Sequence, residues 1–363
     1  MKDLTRLDEL KSVIQHNCDI SDTNGASIFS ICGMALRLRD LNKWEQGLHP
    51  WEEAEPASLL AWIDNKEQIW ETLSEKPFNR LPLNGHMFDP FDTPAVNQAL
   101  KPFGLFYGAG YAHSLKPTFF LAEIEEQTQI NSIPVITLGK EMVRDLLTIP
   151  ALNQDDTVIF RKDAARLFLW DQIAYLKKSG QRFLKLALRH CGLPDTGIDS
   201  RIKFFGNILK AQETTYIHHE IGELTDNVFN RDLFRTLVSS FPHSPVELMA
   251  RTVKDLLADT CTSGTLSQII ATRDHAALGF YAAFQDGLFR PMFPELRRAV
   301  ERFVSDKDWD GIEDARQTGF NTAKKYVGQI SDIYEKARDP NDMGAVSQEI
   351  NERLVTPLTD TRN

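Results

Sequence analysis

The stretch RIKFFGNILKAQETTYIHHEIGELTDNVF, residues 201–229, decides most of what this chain can be. It holds no proline. Ile202, Phe204, Phe205, Ile208 and Leu209 recur at three- and four-residue spacing, the stripe of a helix turning every 3.6 residues. The spacing predicts one long helix with that stripe toward the core. Continued along the same side, the stripe meets Gln212, Thr215, Tyr216, His219, Glu223 and Asp226. A core-facing side that turns polar and stays polar is costly unless its groups are paired, hydrogen-bonded or coordinated. His219 and Glu223 are i,i+4 neighbours, about 5–6 Å apart at Cβ, the spacing at which two side chains on one helix share a metal ion.

The five residues His219-Glu220-Ile221-Gly222-Glu223 follow the zinc-protease pattern His-Glu-x-x-His except that a carboxylate replaces the second histidine. On that reading His219 and Glu223 are metal ligands and Glu220, about 100° round the helix, is the acid/base residue. A third ligand must come from another segment. His243 is the candidate by type, because imidazole suits zinc and iron; Glu247 is the alternative. Asp226, Asp255, Asp259, Asp274 and His275 add further donors in the neighbouring helices. With so many carboxylates the divalent ion is zinc, iron or manganese. The competing reading is a non-catalytic helical scaffold or partner-binding protein, in which His219 and Glu223 form a structural pair. His218 falls off the core side and is expected at the surface or its boundary.

Working outward, SPVELMARTVKDLLADT (244–260) is a second helix, with Ser244 as N-cap, Pro245 in the first turn and Glu247 closing a capping box. Helical periodicity resumes in RKDAARLFLWDQIAYLKK (161–178) and fills the chain from there on, ending in a tail, PLTDTRN (357–363), expected to be disordered. Toward the N-terminus, residues 1–75 also read as helical. The Pro- and Gly-rich stretch 77–117 reads as irregular connection, with FGLFYGAGYAHS (103–114) a flexible aromatic loop. Residues 118–139 have strand composition around Ile133-Pro134-Val135-Ile136 and predict a short hairpin or small sheet, after which KEMVRDLL (140–147) looks helical. The expected architecture is mainly α, with bundle-like helical domains and a small β element in the middle. It divides into an N-terminal domain over 1–150 and a C-terminal helical domain over 151–363.

Composition sets outer bounds. The 363 residues carry 41 Lys and Arg against 51 Asp and Glu, a net charge of −10. So acidic a chain is a poor partner for nucleic acid or an anionic membrane, which leaves a small molecule or a protein as the partner class. Four cysteines at long, irregular gaps fit neither a zinc knuckle nor a disulfide framework. No long apolar run and no secretory leader pattern occur, so a cytoplasmic location is expected.

Three segments together, MALRLRDLNKWEQGLHPWEE (34–53), LKPTFFLAEI (115–124) and YIHHEIGEL (216–224), resemble an uncharacterised, mostly proteobacterial family built as a two-part domain of unknown function. The resemblance implies a cytosolic, mainly helical protein in two parts. It implies no activity, cofactor or site.

Overall fold

A computed structural model describes residues 4–336 and 343–360. Helix dominates and a small β element lies in the middle of the chain. Two compact units divide at Asp171/Gln172. The boundary expected at 150 therefore falls later, because the strands that follow residue 150 complete the sheet of the first unit.

Unit 1 opens with helices α1 (Leu4–Asn24), α2 (Ile31–Glu45) and α3 (Pro56–Glu71), then a hairpin of β1 (Leu81–Leu83) and β2 (His86–Phe88). Helix α4 (Thr93–Leu100) precedes β3 (Leu105–Tyr111), β4 (Pro117–Ile130), β5 (Ile133–Arg144), β6 (Ala151–Gln154) and β7 (Thr157–Arg161), and α5 (Lys162–Ala174) runs across the boundary. The five strands pair in the order β3-β4-β5-β7-β6, antiparallel except for β5 with β7. Along β4 the side chains alternate between two cores. Phe119 and Leu121 pack with Tyr107, Val143 and the stripe Leu10, Ile14 and Cys18 of α1; Phe120 and Ala122 pack with Phe106, Leu138 and Ile159. The apolar run FFLA is what a strand covered on both faces requires.

Two expectations for this unit are corrected. Residues 140–144 belong to β5 and not to a helix, since Val143 pairs with Leu121 and Arg144 with Phe120 in the ladder; cross-strand pairing outweighs helix propensity here. The glycine-rich stretch 103–114 is mostly the edge strand β3 and not a flexible loop. Gly108 sits against the Phe120 ring, where a Cβ would come within 2.1 Å, so the glycine is required by packing.

Unit 2 is helical throughout its described residues: α6 (Gln181–His190), α7 (Ile198–Lys203), α8 (Phe205–Thr225), α9 (Arg231–Ser240), α10 (Pro245–Thr260), α11 (Thr265–Thr272), α12 (His275–Phe284), α13 (Phe289–Met292), α14 (Pro294–Asp306), α15 (Trp309–Lys336), α16 (Met343–Ile350) and α17 (Thr356–Asp360), with a π-helical turn over Asn351–Val355. Of the tail expected to be disordered, the part through Asp360 includes α17, and 361–363 lie outside the described residues. The helix read from 201–229 is broken at Phe204 between α7 and α8. Helix α8 packs against α10, α11 and α12. At Gly222 a Cβ would fall 2.1 Å from the Ala258 carbonyl of α10. Only a residue without a side chain lets the two backbones meet there.

Candidate functional site

The contact at Gly222 sets one helix face against another. Residue 219 lies one turn before Gly222 on α8, and residues 255 and 259 flank Ala258 on α10. Thus the i,i+4 pair His219/Glu223 faces the i,i+4 pair Asp255/Asp259.

His219 Nδ1 donates to Asp259 Oδ1 at 2.9 Å. Asp259 Oδ1 also accepts from Thr265 Oγ1 at 2.7 Å, and its Oδ2 accepts from Tyr281 Oη at 2.9 Å. Three donors on one buried carboxylate fix it as an acceptor, so it holds the imidazole by Nδ1–H and turns Nε2 outward. Nε2 lies 3.9 Å from Glu223 Oε1 and 4.0 Å from Asp255 Oδ1. One ligand atom from each of His219, Glu223 and Asp255 lies within 4.8 Å of the other two. Two donors bound to one ion at about 2.1 Å with tetrahedral geometry sit about 3.4 Å apart. The gaps to Nε2 are about half an ångström wider, which side-chain rotation can close. Lys254 Nζ binds the other oxygen of Glu223, Oε2, at 2.8 Å and leaves Oε1 turned to the cluster.

The electrostatics are those of crowded acids. Burial opposes protonation of His219, but Asp259, then Asp255 and Glu220, raise its pKa well above the ordinary imidazole value. Burial pushes Asp255 up to about 6; His219 works against the shift and Glu223 adds to it. Burial raises Glu220 to about 8, opposed by His219 and reinforced by Glu223. The side chains of His219 and Asp255 remain 28% and 45% exposed, so an ion or water reaches the cluster from solvent.

The structure brings together only part of the set named from sequence. His219, Glu220, Glu223 and Asp259 converge. His243 does not join them. It stands before the first turn of α10, whose first residue, Pro245, is already about 15 Å along the helix axis from Asp255 at 1.5 Å per residue. There it adopts a left-handed φ of 61° and its backbone N–H donates to Glu247 Oε2, while Ser244 Oγ accepts from Glu247 N. Ser244 thus caps α10 as read from the sequence, while the Glu247 carboxylate reaches back to the residue before the cap and is occupied there. Asp226 accepts from the N–H groups of Val228 and Phe229 in the turn after α8. Asp274 is the N-cap of α12. His275 stacks on His190 with ring centroids 4.5 Å apart. The third donor is instead Asp255. Its i,i+4 relation to Asp259 in VKDLLADT was readable, but the packing of α10 on α8 was not. His218, expected at the surface or its boundary, is buried with Nδ1 3.3 Å from the Ser263 carbonyl, because α8 is covered by three helices and buries a wider arc than one stripe.

Comparison with known proteins agrees with a two-part chain. Residues 9–161 match the N-terminal domain, and residues 166–353 the C-terminal domain, of a family of unknown function, DUF6866. The chain belongs to this family. No curated protein and no solved structure matches it. Among the described residues no helix is long and apolar enough to cross a membrane.

Proposed function

We propose that unit 2 is a divalent-metal-binding domain whose ion is held by His219 Nε2, Glu223 Oε1 and Asp255 Oδ1. The observation that carries this reading is the convergence of those three donors on the outward nitrogen of an imidazole held from behind by Asp259. A carboxylate behind a histidine in this way orients the ring and makes it a better ligand. The raised pKa values of Asp255 and Glu220, set first by burial and then by neighbouring carboxylates, also support it, since a nearby cation favours the charged forms. One imidazole and two carboxylates suit manganese, iron or zinc. Glu220 contributes a group that exchanges a proton near neutral pH beside the ion, which makes a metal-dependent enzyme the fuller form of the proposal. A bound ion would supply Lewis-acid activation of water or of a substrate oxygen.

A second reading is favoured by the Lys254–Glu223 ion pair, which already neutralises one carboxylate. In it the strip only joins α8 to α10. Metal analysis of protein purified without a histidine tag, wild type against His219→Ala and Asp255→Asn, separates the two. One equivalent of metal in the wild type and little in either variant supports the centre. Equal, negligible metal in all three leaves the structural reading.

A further inference from the structure

Beyond Asp259 the same helices enclose a second feature. A cavity of about 220 Å³ opens within unit 2, lined by Gln212 and Thr215 of α8, Asp259, Tyr281 and Phe284 of α12, and Gln285 and Phe289 beyond it. Three of its polar atoms are buried without a hydrogen-bond partner: Gln212 Oε1, Thr215 Oγ1 and Gln285 Nε2. Gln212 is 3% exposed and Thr215 8% exposed. Tyr216 donates to Gln172 Oε1 and hydrogen-bonds the Gln212 side chain. A hydroxyl that donates to Gln172 must accept from the Gln212 amide nitrogen, which leaves Oε1 the unspent acceptor. A buried polar atom without a partner is costly, and three around one cavity are not expected of a packed core.

The chemistry of the lining describes what would fill it. Gln212 Oε1 needs a donor, Gln285 Nε2 needs an acceptor, and Thr215 supplies either. Phe284 and Phe289 offer flat apolar walls. The charges at the rim are already satisfied: Asp259 takes three donors and Asp286 is paired with Lys177 at 2.8 Å. The volume falls below the roughly 300–1,000 Å³ of pockets for drug-sized ligands and leaves room for a single ring. We infer that this cavity binds a small, neutral, planar cyclic amide, a ring bearing an N–H donor beside a carbonyl acceptor. This is a binding site distinct from the metal centre, which it adjoins at Asp259.

The test uses the full chain treated with chelator, so that its outcome does not depend on the centre at His219. Uracil is the probe, and 1,3-dimethyluracil, which keeps both carbonyls and loses both N–H donors, is the control. Binding is read by saturation-transfer NMR and calorimetry. Saturable millimolar or tighter binding of uracil is expected for a ligand of this size. Affinity should fall about tenfold or more for dimethyluracil and for Gln212→Leu and Gln285→Leu, the effect of losing one buried hydrogen bond. Melting temperature checks that each variant folds, and Thr215→Val replaces one that does not. No saturable uracil binding through the millimolar range overturns the inference. So does binding that dimethyluracil reproduces, or that the substitutions leave unchanged, since either would show that the ligand makes no hydrogen bond to these atoms.

Discussion

Substituting Gly222 with alanine tests the geometry on which the candidate site depends. The new Cβ would stand 2.1 Å from the Ala258 carbonyl oxygen, where ordinary contact begins at 3.4 Å, so α8 and α10 must part by about 1.3 Å. The Ala258 carbonyl is also closely approached by the backbone at Gly264, where a Cβ would fall 1.9 Å from the same oxygen, so it has little room to yield. Overpacking of this kind costs roughly 1–3 kcal/mol, and a backbone obstacle belongs at the upper end. Replacing glycine by alanine inside a helix returns about 1 kcal/mol, so the net loss is about 2 kcal/mol. A parting of that size also stretches the 2.9 Å bond from His219 Nδ1 to Asp259 past hydrogen-bonding range. Gly206, on the same helix with nothing within 4 Å of its Cβ position, is the internal control. Hydrogen exchange of α8 and α10 peptides in the full chain is the assay. Gly222→Ala should exchange about 30-fold faster there, at 1.4 kcal/mol per tenfold, and Gly206→Ala no faster than wild type. Equal protection in the two variants would refute the close helix contact and the facing of the two i,i+4 pairs.

Further predictions follow from the same contacts. Asp259→Asn keeps the shape but weakens the hold on Nδ1; metal affinity measured by calorimetry should drop about 10–100-fold, with little change in the ion's stoichiometry. Metal affinity should rise with pH, because the ion displaces protons from His219 and from Asp255, which titrates at about 6; titrations in buffers of different ionisation enthalpy should show proton release on binding. The folded-state pKa values of Glu220 and Asp255 lie above their ordinary values, so folding favours their protonated forms. That contribution is full below the ordinary carboxylate range and is lost as pH rises through about 6 and then about 8. Metal-free protein should therefore lose unit-2 stability between pH 5 and pH 8, and metal should reduce the loss; a scan showing the opposite slope contradicts the assignment. In unit 1, Glu141 Oε1 accepts from Arg161 Nε at 2.6 Å and its Oε2 lies 3.3 Å from Arg144, all three groups being buried. Glu141→Gln should cost about 3–5 kcal/mol by leaving buried arginines uncompensated, read by urea denaturation with the fluorescence of Trp44, Trp70 and Trp170.

The sequence carried the mainly helical character and the polar strip of α8 because helical periodicity is a local property. The placement of strands was less visible. LPLNGHMF (81–88) holds an Asn84-Gly85 turn with both residues at positive φ, the backbone that a two-residue hairpin demands, yet the surrounding Pro and Gly disguised it as loop. Residues 140–144 carry charge at three of five positions, and only their partners in β4 make them a strand. At the candidate site, His219, Glu220 and Glu223 were legible because one helix fixes their spacing. His243 drew attention as an imidazole, and residue type says nothing about distance in space. Asp255 was no more conspicuous than its acidic neighbours until Gly222 and Ala258 set the register of α10 on α8. That glycine stood inside the motif as one of two variable positions, and its use becomes apparent only against the partner helix.

The most direct measurement is anomalous diffraction from a crystal of untagged protein soaked in manganese or zinc. One strong peak is expected about 2.0–2.2 Å from His219 Nε2 and from oxygens of Glu223 and Asp255. A fully soaked crystal with no peak between α8 and α10, and with His219 still bonded to Asp259, would contradict it and leave YIHHEIGEL as a helix face that serves packing alone.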